Sequence, residues 1–157
     1  MVKVLFVCTG NICRSPIAHG LLRVRAAEAG LGDRVGVSSA GTHGYHAGDP
    51  PDPRAIATAA RHGVDIGDLR ARKVAVTDFQ DHDLICALEE SHKDVLDRLS
   101  PPEWRPRIRL LMEFAPDQAT RNVPDPYYGG ARDFEKAFAL IDSAVRGIVA
   151  RIGQGNA

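Results

Sequence analysis

The first apolar run of the chain is unbroken. Val4-Leu-Phe-Val-Cys8 carries no polar residue, and a continuous run of that length marks a strand buried on both faces. Thr9 to Arg14 then forms a polar loop in which Gly10 and Asn11 tolerate unusual backbone angles. Ser15-Pro16 predicts a helix start, with Ser15 as N-cap and Pro16 in the first helical position. Ile17, Leu21 and Leu22 continue that helix and Gly30 stops it. A second strand is expected over Val35 to Ser39. Asp52-Pro53 repeats the cap-plus-proline signal and predicts a short helix to about His62, before Gly63. Leu84 to Leu88 reads as a third buried strand, Glu89 to Leu99 as a helix ended by Pro101-Pro102, and Ile108 to Leu111 as a fourth strand. Residues 115 to 132 read as loop. The last helix is the clearest, because Phe134, Phe138, Ile141, Val145, Ile148 and Ile152 recur every three or four positions.

Strands alternating with helices argue for an α/β fold with a parallel sheet covered on both faces. At 157 residues the chain fits one domain, 1–157, with one core. Lys plus Arg and Asp plus Glu both total 20, giving a formal net charge of zero. That balance speaks against a nucleic-acid or membrane-surface binder, which usually carries a basic excess. No apolar stretch approaches the ~20 residues that span a bilayer, and the N-terminal run leads into a polar loop, not a cleavage site. A cytoplasmic protein is expected. Three cysteines, an odd count, fit a reducing compartment.

The chemistry concentrates in Cys8-Thr-Gly-Asn-Ile-Cys-Arg14-Ser15. A cysteine ends a buried strand, and an arginine and a serine open a helix. Ligands bind at the carboxyl ends of parallel strands, and the N–H groups of a tight loop and a helix N-terminus converge on an anion. Residues 9 to 15, namely Thr9, Gly10, Asn11, Ile12, Cys13, Arg14 and Ser15, are therefore the expected phosphate cradle. Gly10 allows close backbone approach, and the planar fork of Arg14 grips two oxygens at once. Such surroundings lower a thiol from ~8.5 to ~3.5–7.5, so Cys8 is expected to be a thiolate nucleophile that Ser15 supports by a hydrogen bond. The ATP-binding phosphate loop needs a Gly-Lys-Ser/Thr ending, which is absent. On its own, Cys8 would equally suit a small buried hydrophobe. Asp125-Pro126 would equally suit a turn, although the flanking Pro124 and Pro126 restrict its backbone.

With these residues in order, the chain resembles the low-molecular-weight protein tyrosine phosphatase family. Cys8 to Pro16 is similar to that family's signature loop, and Ser38-Ser-Ala-Gly-Thr42, Asp52-Pro-Arg54, His62-Gly63 and Asp125-Pro-Tyr-Tyr128 follow in the family's order. The resemblance runs from residue 3 to about 150. It implies a four-stranded parallel sheet flanked by helices and metal-free hydrolysis through a phosphocysteine, with no cofactor. It also implies that Asp125 is the general acid, and in the second step the base. Phosphotyrosine-containing proteins or small aryl phosphates would be the substrates and inorganic phosphate the product. Ile12, Tyr45, Tyr127 and Tyr128 would form the pocket, with Tyr45 where many relatives carry a tryptophan. Asn11 and Ser39 resemble residues that hydrogen-bond to each other and hold the loop. Leu69 stands where some relatives place a supporting histidine. Cys13 resembles a neighbour that traps the oxidised nucleophile as a disulfide.

The remaining candidates are weaker. Cys86 lies in a predicted strand and reads as core. The six histidines show no metal-ligand spacing. An arsenate reductase of the same fold would need further cysteines on a mobile segment, and none follows Cys86. A non-catalytic phosphotyrosine-binding module would need Arg14 but neither a nucleophile nor a proton donor.

Overall fold

The computed structural model describes residues 1–155. Four strands, β1 (Val2–Cys8), β2 (Val35–Gly41), β3 (Leu84–Ala87) and β4 (Ile108–Leu110), form one sheet in the order β2-β1-β3-β4. Every pairing is parallel. Five helices accompany them: α1 (Arg14–Glu28), α2 (Pro53–Arg61), α3 (Thr77–Asp81), α4 (Glu90–Leu99) and α5 (Ala131–Gly153).

The unbroken run in β1 is buried on both sides, as its composition requires. Val4, Phe6 and Cys8 point into a layer shared with Ile17, Leu21 and Leu22 of α1 and with the α5 stripe. Leu5 and Val7 point the other way, against Phe79 of α3 and Leu96 of α4. All six stripe positions of α5, Phe134 to Ile152, are buried. Each such side chain stabilises the fold by roughly 1.5–3 kcal/mol on burial, so the stripe alone outweighs any single polar contact on the surface.

The helix ends refine the expectations. Asp52 caps α2, its carboxylate accepting from the Arg54 N–H at 2.8 Å, and Pro53 opens the helix. Ser15 does not cap α1. That helix begins at Arg14 with Cys13 as N-cap and no side-chain capping bond, because the Ser15 hydroxyl is engaged within the loop. The short α3 and the 3-10 turns at Gly32–Arg34, Pro102–Arg107 and Leu111–Phe114 were not expected from the pattern. They are too short to show a helical period. Among the described residues, no helix is long and apolar enough to cross a membrane.

Candidate active site

The strand order places a crevice at one end of the sheet. The chain leaves β1 for β2 on one side and later returns to β3 on the other, so the connections after β1 and β3 diverge above the strands' carboxyl ends. Cys8 closes β1 there, paired in register with Gly41. Gly41 has no room for a side chain, since a Cβ would lie 2.6 Å from the Thr9 carbonyl oxygen. Asn11 takes a left-handed φ of 60°, whereas Gly10 has no positive φ. A Cβ on Gly10 would instead stand 3.0 Å from the His46 ring.

The loop's shape is held by hydrogen bonds. Asn11 Nδ2 donates to Ser15 Oγ at 2.7 Å, and the Arg72 N–H donates to Asn11 Oδ1 at 3.1 Å. Ser15 Oγ in turn lies 3.0 Å from Cys8 Sγ. Because the serine oxygen already accepts from Asn11, its own proton is free for the sulfur. Arg14 is only 2 % exposed. Its Nη1 donates to the Val123 carbonyl at 2.9 Å and lies 3.3 Å from Glu89 Oε2, while Nη2 is 3.6 Å from Asp125 Oδ2. Burial opposes ionisation of Glu89. The Ser91 hydroxyl and the Arg14 cation outweigh it and hold the carboxyl below its ordinary range.

A cavity of about 290 Å³ opens over this floor. Cys8, Thr9, Gly10, Ile12, Cys13 and Arg14 form its base. Asp125, Tyr45, His46, Tyr127 and Tyr128 form its walls. Asn11 and Ser15 stand buried behind the loop. Asp125 turns back on its own segment, with Oδ1 accepting from the Tyr127 N–H at 3.1 Å. Tyr127 and Tyr128 meet edge to face, and the Arg54 guanidinium lies 5.4 Å above the Tyr127 ring.

Three expectations need correction or refinement. Asn11 and Ser39 do not bond to each other. Ser39 Oγ pairs with His19 Nδ1 at 2.9 Å, and both Asn11 amide atoms are used by Ser15 and Arg72. Leu69 is a buried apolar residue, and the loop is braced instead by the backbone N–H of Arg72. Cys13 lines the cavity base, but burial, and then the Asp52 carboxylate, push its thiol up to about 12, so it rests protonated. Cys86 is fully buried in β3, as expected. Sequence reasoning missed Glu89, His92 and His46. The readable signal for Glu89 was a carboxylate directly after a buried strand of a parallel sheet, where ligands gather. Among the described residues, no group of three His, Cys, Asp or Glu side chains is placed to hold a metal ion.

Comparison with known proteins identifies the family. The family model for low molecular weight phosphotyrosine protein phosphatase matches residues 3–156. A low molecular weight protein-tyrosine-phosphatase of Streptomyces coelicolor is 43% identical, covering 96% of this chain and 93% of that protein. A Bacillus subtilis protein of the same description is 36% identical over 97% of this chain and 96% of its own length. The crystal structure of a protein tyrosine phosphatase from Entamoeba histolytica superposes with a TM-score of 0.96 at 30% identity, covering all of both chains. The chain belongs to the low-molecular-weight protein tyrosine phosphatase family.

Proposed function

We propose that this family member hydrolyses phosphotyrosine and related aryl phosphate monoesters through a phosphocysteine on Cys8. The observation that carries the reading is the convergence of a strand-end thiol, a buried guanidinium and a loop carboxyl on one cavity. In the first step the Cys8 thiolate attacks phosphorus as the bond to the aryl oxygen breaks. Arg14 and the loop N–H groups hold the phosphoryl oxygens, whose charge they complement. Protonated Asp125 gives its proton to the departing oxygen. In the second step a water attacks the phosphocysteine and Asp125, now ionised, takes its proton. Inorganic phosphate leaves, and Ser15 stabilises the sulfur released.

The walls favour a flat ring. Ile12, Tyr45, Tyr127 and Tyr128 stand around a deep anion site, which a short seryl phosphate would not reach. An arsenate reductase would have to relay electrons through further thiols, and Cys86 is sealed in the core. The free thiols of Cys8, Cys13 and Cys86 suit a reducing, cytoplasmic setting.

The test is turnover of an aryl phosphate by wild type and Cys8→Ser, with a chelator present. Product from wild type alone is expected. A well-folded wild type that binds phosphotyrosine without turnover would make this a recognition module and overturn the reading.

A further inference from the structure

Thr9 directly follows the nucleophile, and its hydroxyl is held from across the crevice. Thr9 Oγ1 lies 2.8 Å from His92 Nε2. His92 stands in the first turn of α4 and is 2 % exposed. The same nitrogen lies 3.4 Å from Glu89 Oε1, whose carboxylate also pairs with Arg14. The other ring nitrogen, Nδ1, is buried without a hydrogen-bond partner. Thr9 itself lines the cavity beside Cys8 and Arg14, and among the described residues its hydroxyl meets no partner other than His92.

The direction of this bond decides what the Thr9 hydroxyl can do. Burial, and then the Arg14 cation, bring the His92 pKa down to about 4, so the ring is neutral and carries one proton. A proton on Nδ1 would leave a buried donor unsatisfied, which folded proteins rarely tolerate. It would also turn the Nε2 lone pair towards the Glu89 carboxylate. A proton on Nε2 avoids both penalties, because that N–H donates to Thr9 Oγ1 and leans towards Glu89. The threonine oxygen is then an acceptor, and its own proton is free to point into the cavity.

We propose that His92 is a positioning residue for phosphoryl transfer: as its neutral Nε2–H tautomer it orients the Thr9 hydroxyl so that Thr9 donates to a phosphoryl oxygen. The inference rests on the phosphatase reading for its consequence, but the tautomer itself does not depend on turnover. The extra donor should be worth roughly tenfold in rate, the scale of one hydrogen bond to a charged group.

The first measurement is nitrogen-15 NMR of the histidine side chains in the folded wild-type protein without substrate. A protonated Nε2 and bare Nδ1 on His92 at neutral pH are expected; the reverse tautomer would overturn the proposal. The second is aryl phosphate kinetics for Thr9→Val, His92→Leu, the double variant and His92→Gln, each checked for folding by thermal melting. Gln keeps a donor near the Nε2 position. Thr9→Val and His92→Leu should each lower kcat roughly tenfold, the double variant should lose no more than either, and His92→Gln should recover most of the loss. Losses that multiply, or a Gln variant as slow as Leu, would mean that His92 merely packs. Should wild type fail to turn over while the tautomer is as expected, the fault lies with the phosphatase reading and not with the His92–Thr9 bond.

Discussion

The floor of the cavity and its rim are built on opposite principles. The floor is polar yet buried: Asn11 and Arg14 are each 2 % exposed and Ser15 is fully buried. Each has named partners, Ser15 and Arg72 for Asn11, Glu89 and Val123 for Arg14, and Cys8 for Ser15. The rim is aromatic yet open, with Tyr45 81 % and Tyr128 94 % exposed. A buried network with its partners satisfied keeps one geometry, which anion binding and in-line attack require. Exposed rings on loops offer apolar area with little constraint, which suits recognition. On the proposed function the difference is a division of labour, with chemistry assigned to the floor and selection to the rim. Asp125 is where they meet, a rim residue whose carboxylate reaches 3.6 Å from the floor's arginine.

That division can be broken from either side. The largest effect after loss of the nucleophile is expected for Asp125→Asn, which should slow hydrolysis of poor leaving groups by ~10²–10⁴ and of good leaving groups far less. Steady-state rates across a series of aryl phosphates measure this, and equal losses throughout would remove Asp125 from the acid role. Arg14→Lys should lower kcat/KM by roughly 10²–10³, because a single ammonium lacks the guanidinium fork. Retained activity would mean that the floor works as a simple positive charge.

A smaller effect should come from Glu89→Gln, which does not line the cavity itself but pairs with Arg14 beneath it. Its carboxyl is held below the ordinary range by Ser91 and Arg14 against burial. A depressed carboxyl stabilises the fold above its unfolded value of ~4.3 and loses that contribution as pH falls through its lower folded value. Glu89→Gln should therefore destabilise the fold at neutral pH by about 1 kcal/mol or less, because solvent screens its partly exposed carboxylate, and the difference should shrink as pH falls through the lowered folded value. Thermal or denaturant unfolding across pH checks the sign. The smallest effect is expected for Tyr127→Ala, about three- to tenfold in KM with kcat little changed, the scale of one lost aromatic contact. A fall in kcat instead would show that the rim shapes the floor.

The same contrast explains what was legible in the sequence. β1 and α5 were readable because their patterns are local, an unbroken run and a stripe of constant period. The cradle from Cys8 to Ser15 was readable because it is contiguous, and its glycine, asparagine and arginine each have a physical reason to stand there. Glu89, His92 and the Arg72 backbone were not. They belong to distant segments: Glu89 and His92 arrive through the crossover that brings β3 beside β1, and Arg72 through the stretch that pairs with the end of β2 at Gly41. Ser15 was misjudged for the same reason. A serine before a proline suits an N-cap by local rules, but the loop folds back and takes its hydroxyl for Cys8 and Asn11. Ser39 likewise found His19 rather than Asn11, a partner choice made by the packing of α1 against β2.

The central claim is a covalent phosphocysteine on Cys8. Asp125→Asn, acid-quenched during turnover of an aryl phosphate and digested, should yield a phosphate adduct on the peptide carrying Cys8 by mass spectrometry. That adduct should be absent when Cys8→Ser is added to the same protein. Product release with no phosphorylated peptide, or with the phosphate on any other residue, would contradict the account.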